Sequence, residues 1–173
     1  VFANFDLAGF VDLHVAAGDN WGTNRPTVRP FLYHNRGDRS FEDVFLTSGM
    51  RHDPPAHREG GSAMSDFDGD GRVDLVVVRG DRAENSPPYL YRNESSIFGR
   101  RHATITVRRA AGSLNSSAIG ALVRAIPRDA EGDVIPGMTQ LRIVTSSDSR
   151  GACSSFAQTF GLGDRAASVD VEV

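Results

Sequence analysis

Lysine is absent from this sequence, so all 19 basic residues are arginine, a bias expected of a GC-rich bacterial gene. Cysteine is almost absent: Cys153 stands alone, which excludes an internal disulfide and leaves the compartment unread from thiol pairing. Long apolar runs are also missing, and no stretch nears the roughly 20 consecutive apolar residues of a membrane-crossing helix. Charge of one sign is scarce. The net charge of -3 sets 19 basic against 22 acidic residues, so no strong field exists to recruit nucleic acid or an anionic membrane.

What is present points to strands. Hydrophobic residues make up 39% of 173 residues, enough to bury a core in one or two domains. Eighteen glycines, eight prolines and ten phenylalanines accompany short apolar runs, which suits many short strands and tight turns better than long helices. The expected class is all-β.

A repeat is visible. Asn4-Phe5-Asp6-Leu7-Ala8-Gly9-Phe10-Val11-Asp12-Leu13 aligns with Asp66-Phe67-Asp68-Gly69-Asp70-Gly71-Arg72-Val73-Asp74-Leu75, 62 positions later. Phe31-Leu32-Tyr33-His34-Asn35 aligns with Tyr89-Leu90-Tyr91-Arg92-Asn93 at an offset of 58, the difference being loop length. Each unit reads as an acidic loop, an apolar strand (residues 11–17 and 73–78), a polar loop with proline, and an aromatic strand. Leu75-Val76-Val77-Val78 is a continuous apolar run, as expected of a strand buried on both faces. Units of this size bury their faces only against neighbours, so a radial array of more than two is expected, with further repeats before Val1 and this chain a fragment or processed product.

Asp66, Asp68, Asp70 and Asp74 place carboxylates at positions 1, 3, 5 and 9 of a loop, with the Arg72 carbonyl at position 7. Calcium takes six to eight hard oxygen ligands at about 2.3 to 2.6 Å, and this spacing wraps them around one ion. Carboxylates this close repel one another unless a cation lies among them. Val77 stands where an EF-hand would carry its bidentate glutamate, and a strand is expected to follow instead of a helix, which argues against an EF-hand. Magnesium fits less well, because it demands a strict octahedron and keeps its waters. The first copy keeps Asn4, Asp6 and Asp12, Ala8 replaces a ligand, and Phe10 offers only its carbonyl; fewer carboxylates predict weaker affinity there.

From about residue 100 the pattern changes, dividing the chain into residues 1–99 and 100–173. Strands are expected near residues 102–107, 118–126, 141–145 and 168–173, with turns at Gly112, Asn115, Gly132, Pro136, Gly137 and Gly161. A small antiparallel sandwich fits. Gly161-Leu162-Gly163 lacks the third glycine and the helix of a dinucleotide fingerprint and reads as a strand-end turn.

The residues 66–75 segment resembles an FG-GAP/VCBS repeat, and Phe31-Leu32-Tyr33-His34-Asn35-Arg36-Gly37-Asp38 followed by Phe41 resembles the Leu-Tyr-x-Asn-x-Gly-Asp-x-x-Phe segment of that family. Asn115-Ser116-Ser117-Ala118-Ile119-Gly120-Ala121 and Phe160-Gly161-Leu162-Gly163 are similar to two signatures of the ASPIC/UnbV domain. Ser117 stands in place of that motif's arginine, Thr159 in place of its histidine, and Ala152-Cys153 where Gly-Tyr is usual. The resemblance implies partial β-propeller blades over residues 1–99, then an ASPIC/UnbV-like β domain. It also implies two functions. One is a calcium-stabilised binding or scaffold module, extracellular because millimolar calcium would saturate such a loop. The other is an enzyme or accessory protein of bacterial enediyne-type biosynthesis, cytoplasmic and acting on a hydrophobic intermediate. A protein or a small hydrophobic ligand is the expected partner in either case.

Other motifs have plainer readings. Arg36-Gly37-Asp38 spells an integrin-recognition tripeptide but falls where the repeat needs a turn. His52, Asp53, His57 and Glu59 could ligate a transition metal, though Pro54 and Pro55 suit a polar loop. Cys153 reads as a small buried hydrophobe, no serine shows a nucleophile-elbow pattern, and Trp21 suits a ligand contact or blade packing equally. No catalytic constellation is visible.

Overall fold

The computed structural model describes residues 1–17, 29–50, 59–79, 87–147, 149 and 152–173. Among them twelve strands form four open antiparallel sheets, with no helix and no closure into a barrel. The all-β expectation holds. No helix of the described residues is long and apolar enough to cross a membrane.

Two of the sheets are copies of one plan. The first joins β1 (Phe2–Ala3), β2 (Asp12–Val15), β3 (Phe31–Asn35) and β4 (Phe41–Asp43) in sequential order. The second joins β5 (Glu59–Ser65), β6 (Asp74–Arg79) and β7 (Tyr89–Tyr91). Their registers match: Phe2 pairs with Leu13 as Met64 pairs with Leu75, and Leu13 with Tyr33 as Leu75 with Tyr91. The spacing of aromatic and acidic positions therefore fixes strand pairing as well as strand location.

One detail of β6 differs from expectation. Leu75 and Val77 are buried, Val76 is half-buried and Val78 is exposed. The strand is sheltered chiefly on one face, as a member of a small antiparallel sheet can be. The β5 strand lies at an edge, and side chains remote in sequence satisfy it: Ser62 N donates to Ser149 Oγ (3.2 Å), Met64 N to Ser154 Oγ (3.1 Å), and Ser155 N to Met64 O (3.1 Å). Those bonds blunt an edge that would otherwise be open to pairing.

The remaining strands are β8 (Arg101–Ile105), β9 (Leu122–Arg128), β10 (Gln140–Ile143), β11 (Gln158–Gly163) and β12 (Ser168–Glu172). They form a β10-β9-β12 sheet and a β11-β8 pair. Val123 and Ala125 of the first meet Phe160 and Leu162 of the second in one core with Ile135, Met138, Val144 and Ala166. Burying a side chain such as Phe160 contributes about 1.5 to 3 kcal/mol, which makes this cluster the anchor of the C-terminal sheets.

Gly161 and Gly163 lie inside β11, where the sequence suggests a turn. The reason is close approach. A Cβ on Gly161 would sit 2.5 Å from the Leu7 Cα, and one on Gly163 would sit 3.0 Å from the Ala8 carbonyl oxygen. The Gly163 amide donates to Leu7 O at 2.9 Å, so the acidic loop of the first repeat lies directly on β11.

Candidate metal centre

The two acidic loops share a hydrogen-bond skeleton that starts from one buried carboxylate. In the second loop Asp74 is 1% exposed, and its oxygens accept from the amides of Asn93 (2.7 Å) and Phe67 (3.0 Å). In the first loop Asp12 is 3% exposed and accepts from Asn35 and Phe5, each at 2.9 Å. The side chains of Asn93 and Asn35 each donate to the carbonyl before that aspartate, Val73 O and Val11 O, at 3.0 Å. Asp68 and Asp6 accept from the amide two residues on. The loop's acidic residues therefore organise backbone as well as offering charge.

Ligand atoms of Asp66, Asp68 and Asp74 all lie within 4.8 Å of one another. Asp66 is held by the amides of Gly69 (2.8 Å) and Gly71 (2.9 Å). Gly71, at φ 86°, has no room for a side chain: a Cβ would meet the His102 ring of β8 at 2.1 Å. Asp70 stands outside the group. Its carboxylate accepts from the Arg72 amide at 2.9 Å and pairs with the Arg72 guanidinium, contacts that hold its pKa below the usual carboxylate range. Arg92 of the aromatic segment lies 2.8 Å from Asp68.

The first copy collects Asp6, Asp12 and His34 within the same 4.8 Å span. His34, the repeat counterpart of Arg92, has its Nδ1 3.2 Å from Asp12 and 3.7 Å from Asp6, and Arg100 lies 2.9 Å from Asp6. Burial raises the pKa of Asp12 against the pull of the Asn35 amide. Asn4 is fully buried with neither amide atom hydrogen-bonded, and it packs against Gly161. The Phe10 ring packs on the C-terminal core and over Gly37. Leu7 occupies the position of Gly69 at φ 60°, a costly conformation for leucine that burial and the bond to Gly163 hold in place.

The donor chemistry of the two loops differs accordingly. Each carboxylate oxygen can accept more than the single bond it makes, so Asp66, Asp68 and Asp74 retain lone pairs for a hard cation. Among the described residues the three carboxylates there face one arginine from outside the loop, Arg92, and offer the oxygens a hard cation such as calcium takes. In the first loop one of the two carboxylates already pairs with Arg100, and a divalent ion would find fewer oxygens and less charge.

The cation from the aromatic strand is a feature that reading each motif alone misses. Aligned positions His34 and Arg92 carry its signal, since both are basic. Arg36-Gly37-Asp38 forms a turn: Arg36 pairs with Glu42 at 2.7 Å and Asp38 accepts from Ser40 N and Oγ. Cys153 is exposed, not buried as its residue type suggests. His52, Asp53, His57 and Trp21 lie outside the described residues, as does the side chain of Glu59.

No protein-family model matches the chain. Over 61 residues, 35% of its length, it is 46% identical to human Cartilage acidic protein 1. The chain spans only 8% of that relative.

Proposed function

We propose that this chain is a calcium-stabilised binding or scaffold module, in which residues 1–99 contribute propeller blades and residues 100–173 pack against them as a second β unit. The observation that carries this reading is the convergence of Asp66, Asp68 and Asp74 within 4.8 Å at the end of a strand whose sheet repeats the plan of its neighbour. An ion held by those carboxylates and the Arg72 carbonyl would cancel their repulsion and lock the loop onto the sheet. No reaction is assigned to it. Two sheets are too few to close radially, so the proposal includes further repeats of the same protein as partners. The 61-residue similarity to human Cartilage acidic protein 1 is consistent with this reading, and the proposal includes an extracellular address because millimolar calcium would saturate such a loop.

Thermal melting in excess EGTA and in 1 mM calcium tests the proposal. An ion bound with a dissociation constant near 10 µM adds about 2.7 kcal/mol of stability at 1 mM, worth roughly 5 to 10 °C in a domain of this size. Identical melting curves would remove the metal from the account.

A second reading, handling of an apolar small molecule as in natural-product assembly in the cytoplasm, is favoured by one observation. A cavity of about 460 Å³ opens where the first repeat, the second repeat and the C-terminal sheets meet. That volume lies within the range of small-molecule sites.

A further inference from the structure

The cavity has walls of unlike character. Phe2, Val11, Val73, Leu141 and Ile143 line it with apolar surface. Leu141 and Ile143, each about half exposed, stand on the face of β10 opposite Arg142 and reach the cavity at the edge of the sheet. Two charged side chains also line it, Arg142 and Asp66, beside Val1, whose ammonium group donates to His14 O at 2.7 Å. Asp66 belongs to the acidic group already described and accepts from the amides of Gly69 and Gly71. Arg142 has no carboxylate partner among the described residues.

Arg36, Arg92, Arg100, Arg124 and Arg128 each sit within 3 Å of a carboxylate. Arg142 instead lies over the Phe160 ring, 5.2 Å from its centroid, and donates to Gln140 Oε1 (3.0 Å) and to its neighbour Leu141 O (3.1 Å). Gln140 is itself buried and fixed by a 2.6 Å bond from its Nε2 to Gly161 O. The guanidinium is therefore held in place by neutral groups, with N–H donors to spare. Burial lowers its pKa to about 10, so it remains charged at neutral pH in a site that strengthens any ion pair made there.

We infer that this cavity binds an apolar molecule carrying a single carboxylate, with the carboxylate on Arg142 and the hydrocarbon against Leu141, Ile143 and Phe2. A planar guanidinium is suited to a carboxylate because two parallel N–H···O bonds can form. A cationic ligand is disfavoured by Arg142, and a neutral one leaves the charge unpaired. The inference rests on the small-molecule reading above and assigns its ligand class. It needs no bound calcium.

The test uses the whole chain with methyl-labelled leucine and isoleucine, titrated with 4-phenylbutyrate and separately with the neutral 4-phenylbutan-1-ol, in EGTA. Tenfold or tighter binding of the carboxylate, with shifts at Leu141 and Ile143, is the expected result. Arg142→Gln should bring the two probes to parity, while Arg124→Gln, an exposed pair with Glu172, should leave the preference intact. Equal affinity of the two probes for the unaltered chain would overturn the carboxylate assignment and leave the small-molecule reading standing. Absence of any shift at those methyls with either probe would overturn both. If Arg142→Gln does not fold, the unaltered chain with the probe pair still decides.

Discussion

Replacing Asp74 by alanine removes an acceptor that serves two part-buried amides, and the structure sets the size of the consequence. Asp74 is 1% exposed and accepts from Asn93 N at 2.7 Å and Phe67 N at 3.0 Å, so its loss breaks two charge-assisted bonds whose donors water reaches only in part. Each such bond contributes about 1.5 to 3 kcal/mol, and partial access of water to the freed amides brings the loss to about 2 to 3 kcal/mol against a typical total of about 5 to 15. The melting temperature should fall by roughly 5 to 10 °C. Urea denaturation in EGTA measures the effect without any contribution from metal. Asp12→Ala should cost a similar amount, because Asn35 and Phe5 make the same two bonds to it at 2.9 Å. Adding calcium should then separate the twins, widening the deficit of Asp74→Ala while leaving that of Asp12→Ala almost unchanged. A loss below about 1 kcal/mol for Asp74→Ala in EGTA would refute the claim that this carboxylate organises the loop.

Other outcomes follow from the packing. His14, fully buried on β2 with Nδ1 3.3 Å from Ser62 Oγ of β5, has its pKa lowered to about 4 by burial and by the Val1 amino group. The unfolded chain takes up a proton near 6.5 that the folded chain refuses. Stability is therefore complete above pH 6.5 and falls as the pH drops toward 4, by up to about 3 kcal/mol. His14→Leu should flatten that part of the urea-midpoint profile between pH 7.5 and 4.5, and an unchanged slope would show that another group titrates. Gly161→Ala should lower the unfolding free energy by about 1 to 3 kcal/mol and the urea midpoint with it, because its methyl would press on the Leu7 backbone and the Asn4 amide; an unaffected midpoint would contradict the described contact of loop and strand.

The parts of the fold that were legible in the sequence are those where residue type and local spacing coincide with structure. The acidic loops and aromatic segments recur at fixed offsets, and the strands they flank pair in the same register twice. The β5 strand was not legible, since Gly60-Gly61-Ser62-Ala63 shows no apolar alternation and its edge is satisfied by Ser149, Ser154 and Ser155 from far along the chain. Glycine misled at β11 for a related reason. Gly161 and Gly163 are small because another loop's backbone approaches them, a demand that arises only once the chain has folded. At the candidate metal site three of the four carboxylates expected from spacing come together, while Asp70 turns to Arg72, and neither that diversion nor the charges facing the group could be read from spacing. Arg92, His34 and Arg100 come from other strands and loops, and only the fold shows that Arg100 already offsets one of the first site's two carboxylates.

Calcium binding at the loop of residues 66–74 is tested most directly by calorimetric titration of the chelator-treated chain beside Asp68→Asn and Asp6→Asn. The account predicts one ion per chain, loss of that binding in Asp68→Asn, and its retention in Asp6→Asn. Absence of binding in the unaltered chain, or equal binding in all three, would contradict it.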